Sequence, residues 1–537
     1  MTTGADIIAG KLHAAGCRHA FGIPGGEVLS LMDGLDRAGL KFVLVKHENA
    51  GGFMAEGGWH ADGAPGVLLA TLGPGVANAV NVIANAWQDR VPLIFLTGCV
   101  DAAEAETYTH QVFDHQQLLR PIVKASFSAR LGALDAMMDK AISVALEGQP
   151  GPVHIDVPIN VAEGVTVERW HARPRWSQAP QMVPDGPDLD TALELFRTAQ
   201  RPIAIAGVDA VNEGAGDAIR TFCERFGVPL VTTYKAKGLV DERADLALGG
   251  AGLSPKADEI LLPLIRQSDC VLLLGYDPIE MRINWRAPWE ADAPVIEITP
   301  VLRTHGMHAV RATLRSSVKA ALGQLSDARD DTLQGWVNGE PADARNRLET
   351  LFQPEDAWGP ARAFHVLRDV MPRETVVTAD SGAHRILVSQ IWKCPSPRTM
   401  LQSSALCTMG CALPLAMGHR LVEGSAPVVA FVGDAGLEMC LGELSTLRDL
   451  KIPVIICVMV DSSLSLIELK QRKSQLANVG VDFEETDFPS VAKAYGGHGV
   501  WVEDEQTLRK EAADALDRKS FTLLACRIER RAYDGKF

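Results

Sequence analysis

Short apolar runs alternate with longer amphipathic stretches along almost the whole chain. GVLLA (66–70), PLIFLTG (92–98) and PVHIDVP (152–158) lack the polar alternation of a half-solvated strand, and FVLVKHE (42–48) is read with them as a strand buried on both faces. Between them, VANAVNVIANAWQ (76–88) and LDAMMDKAISVALEG (134–148) carry apolar residues at helical spacing. This alternation predicts βαβ units, that is, parallel sheets covered by helices. The first block closes near Pro158. A second contains RPIAIAGVDAV, GVPLVTTY, CVLLLGYDP and PVIEIT; a third contains ETVVTADSG, PVVAFVGDAG, IPVIICVMVD and FTLLACRIE. The stretch from Trp170 to Asp188, rich in Pro and polar residues, and the polar NGEPADARNRLE (338–349) read as separators. A chain of 537 residues exceeds a single core. The expected organisation is therefore α/β in three domains, over 1–168, 187–335 and 343–537. The first and third are expected to be related, since each places a glycine-rich turn after a buried strand.

Composition narrows the partners. Apolar residues at 47% and charged residues at 22% suit a soluble globular protein. A net charge of -15 without a Lys/Arg-rich block argues against nucleic acid. The opening MTTGADIIAGKLHAAG reads as a short amphipathic helix and not as a secretion signal, and no run approaches about 18 apolar residues, so no membrane span is expected. The ten cysteines, none in a CxxC pair, read as buried free thiols of a cytoplasmic protein.

Chemistry first shows at the strand ends. In APVVAFVGDAGLEMC a buried strand runs into Gly433-Asp434-Ala435-Gly436 and then a helix, an arrangement that suits phosphate. The next strand ends at Asp461-Ser462-Ser463. Adjacent parallel strands would bring Asp434 and Asp461 to one carboxyl edge, where two hard oxygen ligands beside a phosphate suit Mg²⁺. On this pair alone, two ordinary turn aspartates are as good a reading. Glu48 follows a strand at the start of a small-residue helix, where a carboxylate more often serves the helix N-terminus than catalysis.

The motifs together resemble the thiamine-diphosphate enzymes. Their strand–GDG–helix–strand–NN pattern is matched with GDA for GDG and Val460-Asp461 for NN, at the family's separation of 461 − 434 = 27. The resemblance implies Asp434, Asp461 and the Ser463 carbonyl as Mg²⁺ ligands, with the diphosphate over Gly433, Asp434 and Ala435. His47-Glu48-Asn49-Ala50 through Met54-Ala55 resembles HE-x-x-A-x-x-M-A of the acetolactate synthase and pyruvate oxidase types. It implies Glu48 as the catalytic carboxylate that bonds the cofactor's pyrimidine and promotes loss of the thiazolium proton. Thr71 to Asn78 resembles the turn TSGPGxxN beside the pyrimidine, which implicates Gly73, Pro74 and Asn78. His110 to Asp114 resembles a segment that brings a glutamine, here Gln111, to the cofactor. Asp380 to His384 resembles DxGxH near the diphosphate, implicating Gly382 and His384. Cys407 to Gly410 resembles GTMG, which implies that the carbonyl of Cys407 accepts from the cofactor's 4′-amino group and Met409 wedges it into a bent shape.

The resemblance covers nearly the whole chain. It implies a pyrimidine-binding, a central and a diphosphate-binding domain, with active sites between two chains of a homodimer or homotetramer acting on a small carbonyl substrate. The catabolic, flavin-free acetolactate synthases fit best, and FAD is not expected because the middle block carries no flavin signature. The implied activity is decarboxylation of a 2-oxo acid with carboligation; a simple decarboxylase, a lyase acting on a hydroxyketone or diketone, and a degenerate regulatory paralogue are the alternatives. Retention of Glu48 speaks against the last. Ala435 and the extra charge of Asp461 depart from the pattern. Glu27 stands where the catabolic synthases carry a lysine, which points either to a different substrate or to a salt bridge with a nearby basic group. His110 and Phe113 are further candidates on the substrate side. The helix in SSLSLIELKQRK is reshaped, His115 reads as a surface or interface residue, and Arg282 and Trp285 are guessed to approach from the middle domain. RRAYDGKF suggests that any lid is short or comes from elsewhere.

Overall fold

The computed structural model describes residues 2–101, 103–169, 171, 182–301, 305–329, 335–355 and 357–537. They form three six-stranded sheets in which every strand pair is parallel. The first contains β1 (His19–Ile23), β2 (Lys41–Leu44), β3 (Gly66–Ala70), β4 (Leu93–Cys99), β5 (Ala125–Ser128) and β6 (Val153–Pro158), in the order 2-1-3-4-6-5. The second contains β7 (Pro202–Ala206), β8 (Leu230–Thr233), β9 (Ala247–Ala251), β10 (Cys270–Leu274), β11 (Val295–Thr299) and β12 (Ala312–Arg315), in the order 12-11-10-7-8-9. The third contains β13 (Val376–Ala379), β14 (Met400–Gln402), β15 (Val428–Gly433), β16 (Ile455–Val460), β17 (His498–Val502) and β18 (Thr522–Arg527), in the order 14-13-15-16-18-17.

Counted within each sheet, the first and third orders are identical, so the two outer domains share one topology, as their glycine turns suggested. Both reverse direction between the first and third strands (β1/β3 and β13/β15), and ligands of open parallel sheets bind at the carboxyl side of such a reversal. The helices that follow the equivalent strands β2 and β14, Glu48–Asp62 and Ala412–Glu423, pack on each other. Their approach requires glycine: a Cβ on Gly57 would lie 2.2 Å from the Leu415 carbonyl oxygen, and one on Gly418 would lie 1.9 Å from that of Met54.

Several expectations need correction. The stretch 338–349 is not a loop: Glu340–Leu351 is a helix that buries Ala344 and Leu348, one turn apart, on the side facing Pro255–Gln267. The separator read from Trp170 to Asp188 falls largely on residues outside the described ones. FVLVKHE is a strand only over Lys41–Leu44, and as an outer strand it buries little besides Val43. The opening helix, Gly4–Ala14, starts on a Thr3/Asp6 capping box but is enclosed rather than amphipathic, with Lys11 fully buried and paired to Asp135 and Asp139. All ten cysteines are free; eight are buried and Cys407 is exposed. Among the described residues no helix is long and apolar enough to cross a membrane.

Candidate active site

The loops after β13, β15 and β16 converge on one cavity at the carboxyl edge of the third sheet. Ser381–His384, Gly433–Gly436, Asp461 and Ser463–Ile467 line it, with Met409 and Tyr533. Strand pairing explains the meeting of the two aspartates, since β15 and β16 run in register from Val429/Ile455 to Gly433/Met459. Asp434 is buried, and its Oδ2 accepts from the backbone N–H groups of Asp461 (3.1 Å) and Ser462 (2.7 Å) while its Oδ1 accepts from Ala435 N–H (2.8 Å). The chain curls over Asp434 through Ser462 at φ 54. Asp461 is bonded by the Ser465 hydroxyl. Burial raises both carboxyls, and for Asp461 burial together with the charge of Asp434 moves the pKa up to about 7.

A second layer holds the turn that carries Met409. The buried Asp380 accepts from Gly410 N–H at 2.9 Å and Cys411 N–H at 3.0 Å. A Cβ on Gly436 would lie 2.1 Å from Asp380 Oδ2, so this glycine allows the carboxylate to sit under both turns. Cys407 has φ 56; Arg385 donates to its Sγ (3.2 Å) and to the carbonyl of Ser403 (2.8 Å). Across the domain boundary, the Ser403 hydroxyl donates to Asn85 Oδ1 at 2.6 Å and itself accepts from Thr408 N–H at 2.9 Å.

In the first sheet the predicted residues gather after β2, β3 and β4. Glu48 opens its helix and is 4% exposed, with Oε2 accepting from Asn78 Nδ2 at 3.0 Å. Gly73 has φ 66, and a Cβ there would lie 2.3 Å from the Gln111 carbonyl oxygen. Its N–H donates to His115 Nε2 at 3.2 Å, and His115 Nδ1 lies 2.8 Å from Asp156 Oδ1. Burial alone would raise Asp156, but bonds from His115 and His154 outweigh it and hold the carboxyl below its usual range. His115 is thus a buried brace of the Gly73 turn, not a surface residue. Glu27 accepts from the Thr71 hydroxyl at 2.7 Å. His110, Gln111, Phe113, Pro74 and Asn78 face solvent in the single chain.

Three models of one family match this chain in series: thiamine pyrophosphate enzyme, N-terminal TPP binding domain (residues 2–118), central domain (189–325) and C-terminal TPP binding domain (380–526). The acetolactate synthase large subunit of Parasynechococcus marenigrum is 30% identical over 564 residues, covering 98% of this chain and 88% of that protein. The chain belongs to the thiamine pyrophosphate enzymes. It is also similar to the acetolactate synthase of Bacillus subtilis (29% identical, 94% of this chain and 89% of that one) and to a probable acetolactate synthase large subunit of Methanocaldococcus jannaschii (29%, 96% and 90%).

The carboxyl-edge cavity of this thiamine pyrophosphate enzyme fits an anionic group bridged by a metal. Three polar atoms buried on its wall, Ser463 Oγ, His384 Nε2 and the Tyr533 hydroxyl, have no hydrogen-bond partner among the described residues. An unmet buried polar group costs about 1–3 kcal/mol, which a bound acceptor or ion would recover. His384 is held neutral, its pKa lowered to about 3 by burial and then by Arg385.

Within one chain the two halves of the predicted site do not share that cavity. Met409 also borders a second cleft, lined among others by His47, Asn78, Cys407, Thr408 and Met439, and Glu48 lines neither. Trp285 is fully buried in the middle domain, donating to Asp258 at 2.9 Å, so it does not approach the site; Arg282 does come within electrostatic reach of Arg385 and Cys407. The sequence reading missed the bracing roles of Asp380 and His115 and the presence of Tyr533. Only Asp380 carried a signal, the aspartate at the head of DSGAH.

Proposed function

We propose that this chain binds thiamine diphosphate with Mg²⁺ and decarboxylates a 2-oxo acid with carboligation, a reading that its similarity to acetolactate synthases supports. The observation that carries this reading is the meeting of Asp434 and Asp461 at one carboxyl edge, beside three buried polar atoms without a hydrogen-bond partner among the described residues. Asp434, Asp461 and the Ser463 carbonyl would hold the metal. Gly382, His384, Gly433 and Ala435 would surround the diphosphate. Bound there, the cofactor supplies an electron sink for breaking and forming a bond next to a carbonyl.

The chain's own residues do the rest. Met409, braced through Asp380, would act as the wedge, and the exposed turn at Cys407 would offer its carbonyl. Glu48 keeps Oε2 on Asn78, which leaves Oε1 to exchange a proton with a ring nitrogen. Gly73 and Pro74 form the turn over Glu48, and Gln111, His110, Phe113 and Glu27 border the substrate side. Because Asp434 lines the carboxyl-edge cavity and Glu48 does not, the complete site is assigned to two chains of a dimer or tetramer. Exposed apolar residues near both halves support this: Val112 and Phe113 on one side, Met439 on the other. Ten free cysteines support a reducing compartment such as the cytoplasm.

The test is a panel of 2-oxo acids, with and without aldehyde acceptors, in Mg²⁺ and thiamine diphosphate, read as CO₂ release and products by mass spectrometry. Light scattering in parallel gives the assembly. Glu48→Gln is expected to keep cofactor affinity and lose turnover by about 10²–10⁴-fold. An unaffected rate would sink the role of Glu48. Turnover of a hydroxyketone or diketone, with no 2-oxo acid consumed, would move the assignment to a lyase.

A further inference from the structure

We propose that the Tyr533 hydroxyl is a binding donor of the carboxyl-edge cavity, giving its hydrogen bond to a diphosphate oxygen when that group is bound. The inference rests on the cofactor assignment above and goes beyond it in drawing the segment after β18 into the site. Tyr533 is 4% exposed and packs in the core cluster with Cys457, Met459 and Cys526, yet it also lines the cavity with Asp461 and Ser463. Its hydroxyl is buried and has no hydrogen-bond partner among the described residues. A phenol keeps its proton at neutral pH, so this hydroxyl is a donor. A protonated phenol beside two carboxyls, bonded to neither, is a donor without an acceptor, and such a group is costly to bury. A phosphate oxygen is the acceptor that the rest of the cavity is built to receive.

The segment that carries Tyr533 is pinned to the same loop. Arg530 donates to the Ser462 carbonyl at 3.4 Å, next to Ser463, and ion-pairs with Asp482 at 3.7 Å. Arg531 reaches Glu468 at 3.3 Å, and Asp534 pairs with Arg472 at 2.6 Å, both on the helix Ser465–Lys473 whose first turn lines the cavity. Tyr533 is therefore held at the metal-ligand loop from outside, while its ring is fixed from inside by the core.

Tyr533→Phe removes only the oxygen, so the core packing survives. The test is titration calorimetry of the full-length protein with Mg²⁺ and thiamine diphosphate, repeated with Mg²⁺ and inorganic diphosphate, alongside the thermal midpoint of the cofactor-free protein. The expected result is a rise in both dissociation constants of about tenfold to a hundredfold, the range for a hydrogen bond to a charged acceptor. The cofactor-free midpoint should stay level or rise, because an unmet buried donor has been removed. Affinities within twofold of wild type would overturn the assignment, as would a lowered cofactor-free midpoint, which would mark a purely structural hydroxyl. A wild-type protein that binds neither ligand would instead refute the cofactor reading itself, and the assignment of Tyr533 with it.

Discussion

Asp461 gives the site a pH dependence that can be worked from its surroundings. Its carboxyl ionises at about 7 in the folded, metal-free chain against a usual 3.8, chiefly through burial and then through the charge of Asp434. A raised carboxyl means that the folded state binds the proton more tightly than the unfolded state, so stability falls as pH rises between the two values. At about 1.4 kcal/mol per pH unit the full loss is about 4 kcal/mol, of which about 2–3 kcal/mol falls between about pH 5 and pH 8. Asp461→Asn cannot ionise and escapes it. Other groups titrate over the same range, so the informative quantity is the stability difference between variant and wild type at about pH 8, minus the same difference at about pH 5. Without Mg²⁺ and cofactor, this double difference should favour the variant by about 2–3 kcal/mol. Thermal midpoints are the assay, and a shift of a few degrees is expected. A double difference near zero would refute the view of Asp461 as a carboxyl raised by burial and by Asp434.

Two further outcomes test the braces. Gly436→Ala places a Cβ about where Asp380 Oδ2 now lies, 2.1 Å away. The carboxylate must then leave Gly410 and Cys411, at a cost of about 3–5 kcal/mol for two charged hydrogen bonds, and cofactor affinity should fall with the displaced Met409 turn; an unchanged thermal midpoint would count against the brace. His115→Phe removes the acceptor of Gly73 N–H and one donor to Asp156 and should cost about 1–3 kcal/mol. Turnover should fall more than cofactor affinity, since the turn it holds lies beside Glu48, and a variant with wild-type kinetics would reduce His115 to core packing.

The sequence displays this fold unevenly, for a physical reason. Central strands such as β4, β10 and β16 are covered on both faces and read as continuous apolar runs. The strands that the pattern leaves out are β1, β5, β9, β12, β14 and β17, and all but β1 lie at a sheet edge. An edge strand has one strand neighbour, needs less apolar cover, and can be as short as Met400–Gln402. The site shows the same contrast. Asp434, Glu48 and Met409 stand in motifs with fixed spacing and could be found by counting. His115 and Asp380 act by accepting at a turn that another part of the chain supplies, and Tyr533 reaches the cavity wall from the segment after β18. No local pattern announces that His115 lies under Gly73, forty-two positions away.

Those supports account for how the site can hold unusual letters in its motif. The two outer domains repeat one topology, and each braces its carboxyl-edge turns with a buried side chain that accepts backbone N–H groups: His115 for Gly73 in the first, Asp380 for Gly410 and Cys411 in the third, and Asp434 for Asp461 and Ser462 beside it. A backbone N–H at the mouth of a sheet must be paired or solvated, and pairing it with a buried acceptor fixes the turn whatever residue sits at its tip. Ala435 in place of glycine keeps its N–H on Asp434 Oδ1, and Asp461 in place of an amide keeps its N–H on Asp434 Oδ2. The geometry at both positions is thus held by the main chain and by Asp434. What the substitutions change is charge and space in the cavity. Their effect should therefore appear in metal and cofactor affinity and its pH dependence, while the placement of Met409, set by Asp380, stays the same.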